Sequence, residues 1–491
     1  MTTKYIVLLL YLAILFLIGY FASKRIKGIR DYYVGGKKLG YWVVAFSARA
    51  TGESGWLLLG LTGMGAMVGV QAFWVVVGEV AGVAFGWLFM AKKFKRLSDK
   101  YDSITIPDYL ESHFKSTGHL LRIVAAATLA IFVTIYVSSQ IDATGAAFES
   151  FLGWNYYAGA LVGFGIVVIY IFSGGFIAVA WSDLFQGLIM LVGLAMLPIA
   201  AYLTIENKDE IVTGLQSIDP GLLTIWGKGG LTAINIATIG GFIFIGLGFL
   251  GSPQVFVRFM SIKNEAEINK GRWVAIVFTL ITDSAAVLIG ILGRYIFTSA
   301  GQDPEAILGN GAVDVLPLLV DNVFPTVIIG IYIAAVLSAI MSTVDSLLVT
   351  ASSAVTRDFY QKIFRPDLAD EHLTKISRWV TLGIALFALA IAMTVSVTTP
   401  ERSIFWFIIF GWSGIAATFC PVIILSLFWK GYTERGAIAT MITGFISIPF
   451  FKFGMTSLSN IGILFEKLDV MFPSFVLAMI AGYIFSKLGN Q

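Results

Sequence analysis

The chain has 491 residues, of which 57% are hydrophobic and 13% charged, and its mean hydropathy is +0.85. That composition excludes a soluble globular protein. A net charge of +3 and a single cysteine, Cys420, give no ground for a nucleic-acid partner and exclude an internal disulfide.

Apolar stretches of membrane-spanning length recur from end to end. Taken in order, they predict spans near 4–23, 41–69, 71–91, 121–149, 155–174, 178–204, 232–256, 273–298, 324–356, 376–397, 403–429, 433–451 and 470–487, thirteen helices in one transmembrane domain over 1–491. The first is not read as a cleavable leader, because it lacks a basic leading region and another span follows at once. With the N-terminus outside, 25 of the 33 Lys and Arg, Arg258 among them, fall on the cytoplasmic side and 7 on the other. This bias predicts an outside N-terminus and a cytoplasmic C-terminus. The remaining one, Arg49, lies inside a span and reads as the only cation within the membrane apart from span ends. His113, His119 and His372 fall in cytoplasmic loops and are expected to be solvated. A short amphipathic stretch near 104–118 (Ile104, Ile106, Tyr109, Leu110, Phe114) is expected at the cytoplasmic membrane surface. Neither a nucleotide-binding loop nor a nucleophile elbow is present, so ATP-driven transport and enzyme catalysis are not predicted.

Two spans look broken. In the second, residues 47–55 place two glycines, two charges and three hydroxyls in an apolar helix. In the seventh, Gly246, Gly248, Gly251 and Pro253 fall within eight residues. Interrupted helices at matching places in two five-helix blocks point to an inverted-repeat transporter, with unwound backbone free to meet an ion and an anionic solute group. Two glycine-rich helices packing closely would be the simpler reading. The run 339–346 adds hydroxyls and a carboxylate deep in the ninth span. Ala339, Ser342, Asp345 and Ser346 share one helix face, with Thr343 beside it. These are hard oxygen ligands suited to Na⁺.

With these motifs the chain resembles the sodium:solute symporter family, and within it the sodium/proline symporters. The matching segments are Asp31–Gly36, Ser54–Leu61, Thr105–Tyr109, Gly174–Asp183 and Ala339–Thr343. The resemblance implies an all-α, leucine-transporter-like core of five-plus-five inverted repeats, 41–204 and 232–429, with an extra N-terminal helix at 4–23 and two C-terminal helices at 433–487. It implies a principal Na⁺ site made of the Ala50, Glu53 and Ala339 carbonyls and the Ser342 and Thr343 hydroxyls. A second site for Na⁺ or H⁺ would use Asp183, Ser342, Asp345 and Ser346. Asp183 reads equally well as a helix N-terminal carboxylate satisfied by backbone N–H groups.

Departures from that pattern are as informative. Gly52 stands where the sodium/proline symporters have an aspartate, and Ile245 and Phe249 stand where they have Trp and Tyr, while Pro253 is kept. Asp142 lies six residues after Tyr136, a position matching a solute-site tyrosine. Arg49, Glu53 and Asp142 are expected to interact. Arg49 then braces the broken helix, or binds a solute carboxylate with Glu53 or Asp142 facing an amine, or stands in for one sodium charge. Glu79 and Asp283 are further intramembrane carboxylates, read as proton carriers or as interhelical contacts.

The expected function is Na⁺-coupled import of a small organic solute, a proline-like amino acid, across a bacterial-type cytoplasmic membrane. The solute is expected near Arg49, Glu53, Ser54, Gly55, Tyr136, Asp142, Ile245, Phe249 and Pro253. The lipid bilayer is the only other partner expected, with no obligate protein partner. Alternatives are a proton-coupled symporter of the same fold and a transporter-like sensor that moves nothing.

Overall fold

The computed structural model describes residues 2–488, as backbone only at residue 2, residues 170–174 and residues 370–371. Gly174, which opens the Gly174–Asp183 motif, and the end of the expected 155–174 span therefore lie outside the fully described residues. Among the described residues the chain is helical, and its one extended pairing is an isolated bridge between Leu39 and Ile262.

The principal helices are α1 (Thr2–Ser23), α2 (Tyr41–Gly52), α3 (Phe73–Phe85), α4 (Ile106–Phe114), α5 (Leu120–Leu152) and α6 (Tyr156–Thr204). They continue with α7 (Ala233–Phe244), α8 (Pro253–Ser261), α9 (Glu265–Phe297), α10 (Thr326–Ser353), α11 (Asp370–Thr398), α12 (Ile404–Phe428), α13 (Glu434–Pro449) and α14 (Met471–Leu488). Gly175, at φ 53°, divides α6 near the boundary expected between two spans. That left-handed conformation favours glycine.

Eleven helices among the described residues are long and apolar enough to cross a membrane, so the expected count of thirteen is not confirmed. Two expected spans account for the difference. The 41–69 span is split, leaving α2 with 12 residues, and its second half is counted together with the 71–91 span in the helical stretch Trp56–Lys100, although the chain turns at Gly69, at φ 61°. Of the 155–174 span, only the shorter stretch Tyr156–Ile169 is described as apolar helix.

Burial sorts the helices. α10 is buried almost continuously from Ile329 to Ser353, and α12 nearly as fully. By contrast α1 exposes Leu9, Leu10, Leu17 and Phe21, and α11 exposes Trp379, Phe387 and Val397, apolar surface suited to lipid. The polar run of α10 thus faces protein on every side. Close backbone packing holds the second broken segment against α3: a Cβ at Gly246 would lie 1.9 Å from the Gly78 carbonyl oxygen. Small residues allow such contact between membrane helices.

The amphipathic stretch at 104–118 packs its first half into the protein, while residues 111–118 stay partly or fully exposed. Ile106, Tyr109 and Leu110 are buried, and the Thr105 hydroxyl caps α4 by accepting from Asp108 N at 3.1 Å. Asp108 pairs with Arg122 at 2.9 Å and Arg357 at 3.1 Å, and Arg122 also meets Glu111 and Asp358. Burial alone would raise the Asp108 carboxyl, but Arg357 and Arg122 hold it below the usual carboxylate range. These pairs neutralise charges that would otherwise keep α4 at the surface. His113 is half-buried: it packs among Tyr101, Tyr109 and Phe114, and burial lowers its pKa. His119 and His372 are exposed, as expected.

Candidate ion and solute site

α2 ends at Gly52, and Glu53 leaves helical geometry at φ −98°, ψ 81°. A helix end deep in the protein leaves backbone groups that need partners. Gly55 N donates to Gln140 Oε1 at 3.1 Å, and Trp56 Nε1 donates to the Gly52 carbonyl at 2.9 Å. Gln140 Nε2 and the Tyr136 hydroxyl both donate to Ser54 Oγ, at 3.2 and 3.3 Å. The lower edge of the break faces α10. There Ser342 Oγ donates to the Ala50 carbonyl at 2.8 Å and Thr343 Oγ1 to the Thr51 carbonyl at 3.0 Å. Both hydroxyls also lie within 3.2 Å of the Ala339 carbonyl. Ala50, Ala339, Ser342 and Thr343 thus gather as a cluster of hard oxygens, with the Thr51 carbonyl as an unforeseen member. Glu53 follows directly on that strip of backbone.

The second break is tighter. After α7 the chain winds through Ile245–Leu250 in three-residue turns, and α8 restarts at Pro253. Proline suits that first helical position because its missing N–H would be unpaired anyway. Trp412 on α12 donates its indole N–H to the Ile245 carbonyl at 3.0 Å. Its ring lies 5.0 Å from Phe249 and 6.2 Å from Tyr136, so it bridges the linings of the two breaks. Gly52 and Phe249 fill one volume between them: a Cβ at Gly52 would stand 2.6 Å from Phe249 Cε1. Losing a side chain at 52 is therefore what seats the phenyl ring.

Arg49 is buried in the last turn of α2. Its Nη2 meets Glu53 Oε1 at 2.5 Å, Glu79 lies 3.9 Å away, and the guanidinium sits 4.6 Å over the Phe249 ring. Arg49 and Glu53 thus pair, as expected. Asp283 is buried nearby and accepts from Thr282 Oγ1 at 3.2 Å.

The structure overturns two expectations here. Asp142 does not join Arg49 and Glu53. It pairs with Arg402, whose Nε donates to Oδ2 at 3.0 Å, and it accepts from the Tyr156 hydroxyl. Six residues carry a helix about 9 Å along and about 240° round from Tyr136, which turns Asp142 away from the break. It lines instead a cavity of about 630 Å³ on the face opposite the basic loops, together with Glu149, Asp314 and Asp321. Nor does Arg258 belong to a loop. Arg258, counted with the loops, is fully buried because α8 runs on to Ser261, and it pairs with Asp183 at 3.1 Å. Asp183 is thus neither a cap nor free: Ser47 Oγ also donates to it, at 2.5 Å. Asp345 accepts from Ser346 Oγ at 3.2 Å.

Sequence reasoning missed Gln140, Trp412 and Thr51. Gln140 was within reach, four residues from Tyr136 and so on the same helix face. Trp412 was not, because α12 is apolar all round.

A sequence model of the sodium:solute symporter family matches residues 32–444. The high-affinity proline transporter PutP of Bacillus subtilis (strain 168) is 35% identical over 479 residues, covering 96% of this chain and 95% of that protein. The osmoregulated proline transporter OpuE of the same organism is 33% identical over 486 residues, covering 98% and 94%. Among solved structures, a Na⁺-coupled sialic acid symporter in a substrate-bound outward-open state superposes with a TM-score of 0.78 at 19% identity, covering 99% of this chain and 98% of that one. MhsT in complex with L-phenylalanine superposes at 0.52 with 14% identity, covering 91% and 98%. At such identities a superposition speaks to the fold, which is the expected all-α, leucine-transporter-like one.

Proposed function

Since the chain belongs to the sodium:solute symporter family, we propose that it imports a proline-like amino acid by Na⁺-coupled alternating access. One observation carries the reading: the Ser342 and Thr343 hydroxyls meet the carbonyls of Ala50 and Thr51 where α2 breaks. A cation among these oxygens and the Ala339 carbonyl joins the broken helix to α10. The Glu53 carbonyl, next along the unwound strip, completes the ligand set carried over from the family.

The solute binds between the two breaks, where Ser54, Gly55, Tyr136, Gln140, Phe249 and Trp412 offer polar groups at one end and rings at the other. That pairing suits a small amino acid with an apolar ring, and the proline transporters among the relatives support the choice. Ile245 and Pro253 frame the second break. Na⁺ favours the outward-open state, solute binding permits closure, and Na⁺ leaves first into a Na⁺-poor cytoplasm. Each ligand must favour the same state for coupling to exist. Residues 41–204 and 232–429 form the two inverted repeats, and the basic loops place the N-terminus outside a bacterial cytoplasmic membrane.

Radiolabelled proline uptake into proteoliposomes tests this. An inward Na⁺ gradient is expected to drive accumulation, and a proton gradient alone is not. Accumulation under the proton gradient without Na⁺ would transfer the coupling to H⁺.

A further inference from the structure

Where the end of α1 packs on α6, the contact opens into a lipid-facing groove. Ile14, Leu17 and Phe21, three or four residues apart on one face of α1, line one side. Ile177 and Trp181, one turn apart on the second half of α6, line the other. Ala22 closes the bottom, packed with Ile177 and Ala178, and the groove encloses about 290 Å³. Leu17, Phe21 and Trp181 expose 56%, 61% and 41% of their surface.

One end of this groove is basic. α1 stops at Ser23, and Arg25 N donates to the Ala22 carbonyl at 2.9 Å, a turn that brings the Arg25 guanidinium to 5.4 Å from the Trp181 ring. Arg25 is exposed. In the same loop Arg30 has Asp102 at 2.6 Å, whereas Lys24, Arg25 and Lys27 form no ion pair among the described residues. This end lies on the side of the basic loops. A tryptophan and an arginine stacked there mark the level of the head groups, the arginine stem lying along apolar surface and its charge reaching outward.

Among lipid tails an apolar wall gains little from one hydrocarbon chain over another, so the groove alone does not choose its occupant. The charge at its end does. A guanidinium offers paired N–H donors that fit a phosphate, and here no carboxylate of the protein takes them. Basic pockets between membrane helices attract anionic head groups, whereas a zwitterionic head brings its own ammonium against Lys24, Arg25 and Lys27. We infer that the groove between α1 and α6 binds an anionic phospholipid, its phosphate on Arg25 and one acyl chain against Leu17, Phe21 and Trp181. Such a lipid ties the end of α1 to α6. Deeper in the membrane Gln186 Nε2 of α6 and Ser338 Oγ of α10 both donate to the Tyr11 hydroxyl of α1, at 3.0 and 2.9 Å. The lipid extends that junction to the helix end.

The test titrates the purified full chain, in neutral detergent, with phosphatidylglycerol or with phosphatidylcholine. Melting temperature and bound lipid, the latter by native mass spectrometry, are read together. Phosphatidylglycerol is expected to raise the melting temperature by mass action and to leave one molecule bound under conditions that strip phosphatidylcholine. Arg25→Ala is expected to weaken phosphatidylglycerol binding about fivefold, the usual share of one basic residue at an anionic surface. Arg25→Lys, which keeps the charge, is expected to lose less. Leu17→Trp, which crowds the groove and leaves its basic end intact, is expected to weaken binding as well. Equal stabilisation by the two lipids would overturn the inference, as would unchanged phosphatidylglycerol affinity in Arg25→Ala. Glycerol phosphate reproducing the full shift would make this a site for a free anion, and a lipid-insensitive dimer would seat a second copy in the groove. Either result overturns the assignment to a lipid. If Arg25→Ala does not fold, Leu17→Trp and the comparison of the two lipids still decide.

Discussion

Replacing Ser342 and Thr343 together with alanine is expected to abolish Na⁺-stimulated uptake. A hydrogen-bonding group facing a charge is worth about 1.5–3 kcal/mol, so losing two weakens Na⁺ binding by about 3–6 kcal/mol, at least a hundredfold in affinity at about 1.4 kcal/mol per tenfold. The same hydroxyls satisfy the Ala50 and Thr51 carbonyls. The double variant therefore leaves two buried acceptors short of a donor, at about 1–3 kcal/mol each. A melting curve in Na⁺-free buffer separates this loss of stability from the loss of the ion. The prediction fails if the folded double variant keeps the wild-type dependence of uptake on Na⁺.

The second large effect is expected at Arg49. Arg49→Ala leaves Glu53 and Glu79 buried with their nearest cation gone. Breaking a buried ion pair from one side costs about 3–5 kcal/mol, because a charge is stranded in the interior. The double variant Arg49→Ala with Glu53→Ala is expected to recover part of that stability, since it strands less charge. It also separates the bracing role from solute recognition. A brace predicts that the folded double variant still binds proline within a few-fold of wild type. Loss of proline binding in a stable double variant would instead assign the guanidinium to the solute carboxylate.

The parts of the molecule legible in the sequence were those with a strong local signal. Glycines and a proline packed into residues 246–253 pointed to an interrupted membrane helix, and the chain there tightens into three-residue turns and leaves helical geometry at Gly251. The hydroxyls of 342 and 343 sat in an apolar run with no other use for them. The side chains that went astray were placed by linear distance. Asp142 was grouped with Arg49 through its nearness in sequence to Tyr136, although helix rotation sends it to the outer cavity and Arg402. Arg258 was counted with the loop cations because it lies two residues beyond the expected end of a span. Its flanks, Val257 on one side and Phe259 and Met260 on the other, are apolar and marked a helix still inside the protein. Thr51 could not be singled out from sequence, because its role depends on Arg258 and Ser346 arriving from two other helices.

The central claim is that Na⁺ and solute favour one another through the contact between the first helix break and α10. Equilibrium binding of proline to the purified protein, in Na⁺ and in choline, tests it most directly. Na⁺ is expected to tighten proline binding about tenfold or more, within the usual range of coupling energies, and proline must tighten Na⁺ binding by the same factor. Equal proline affinity in the two salts would contradict the account.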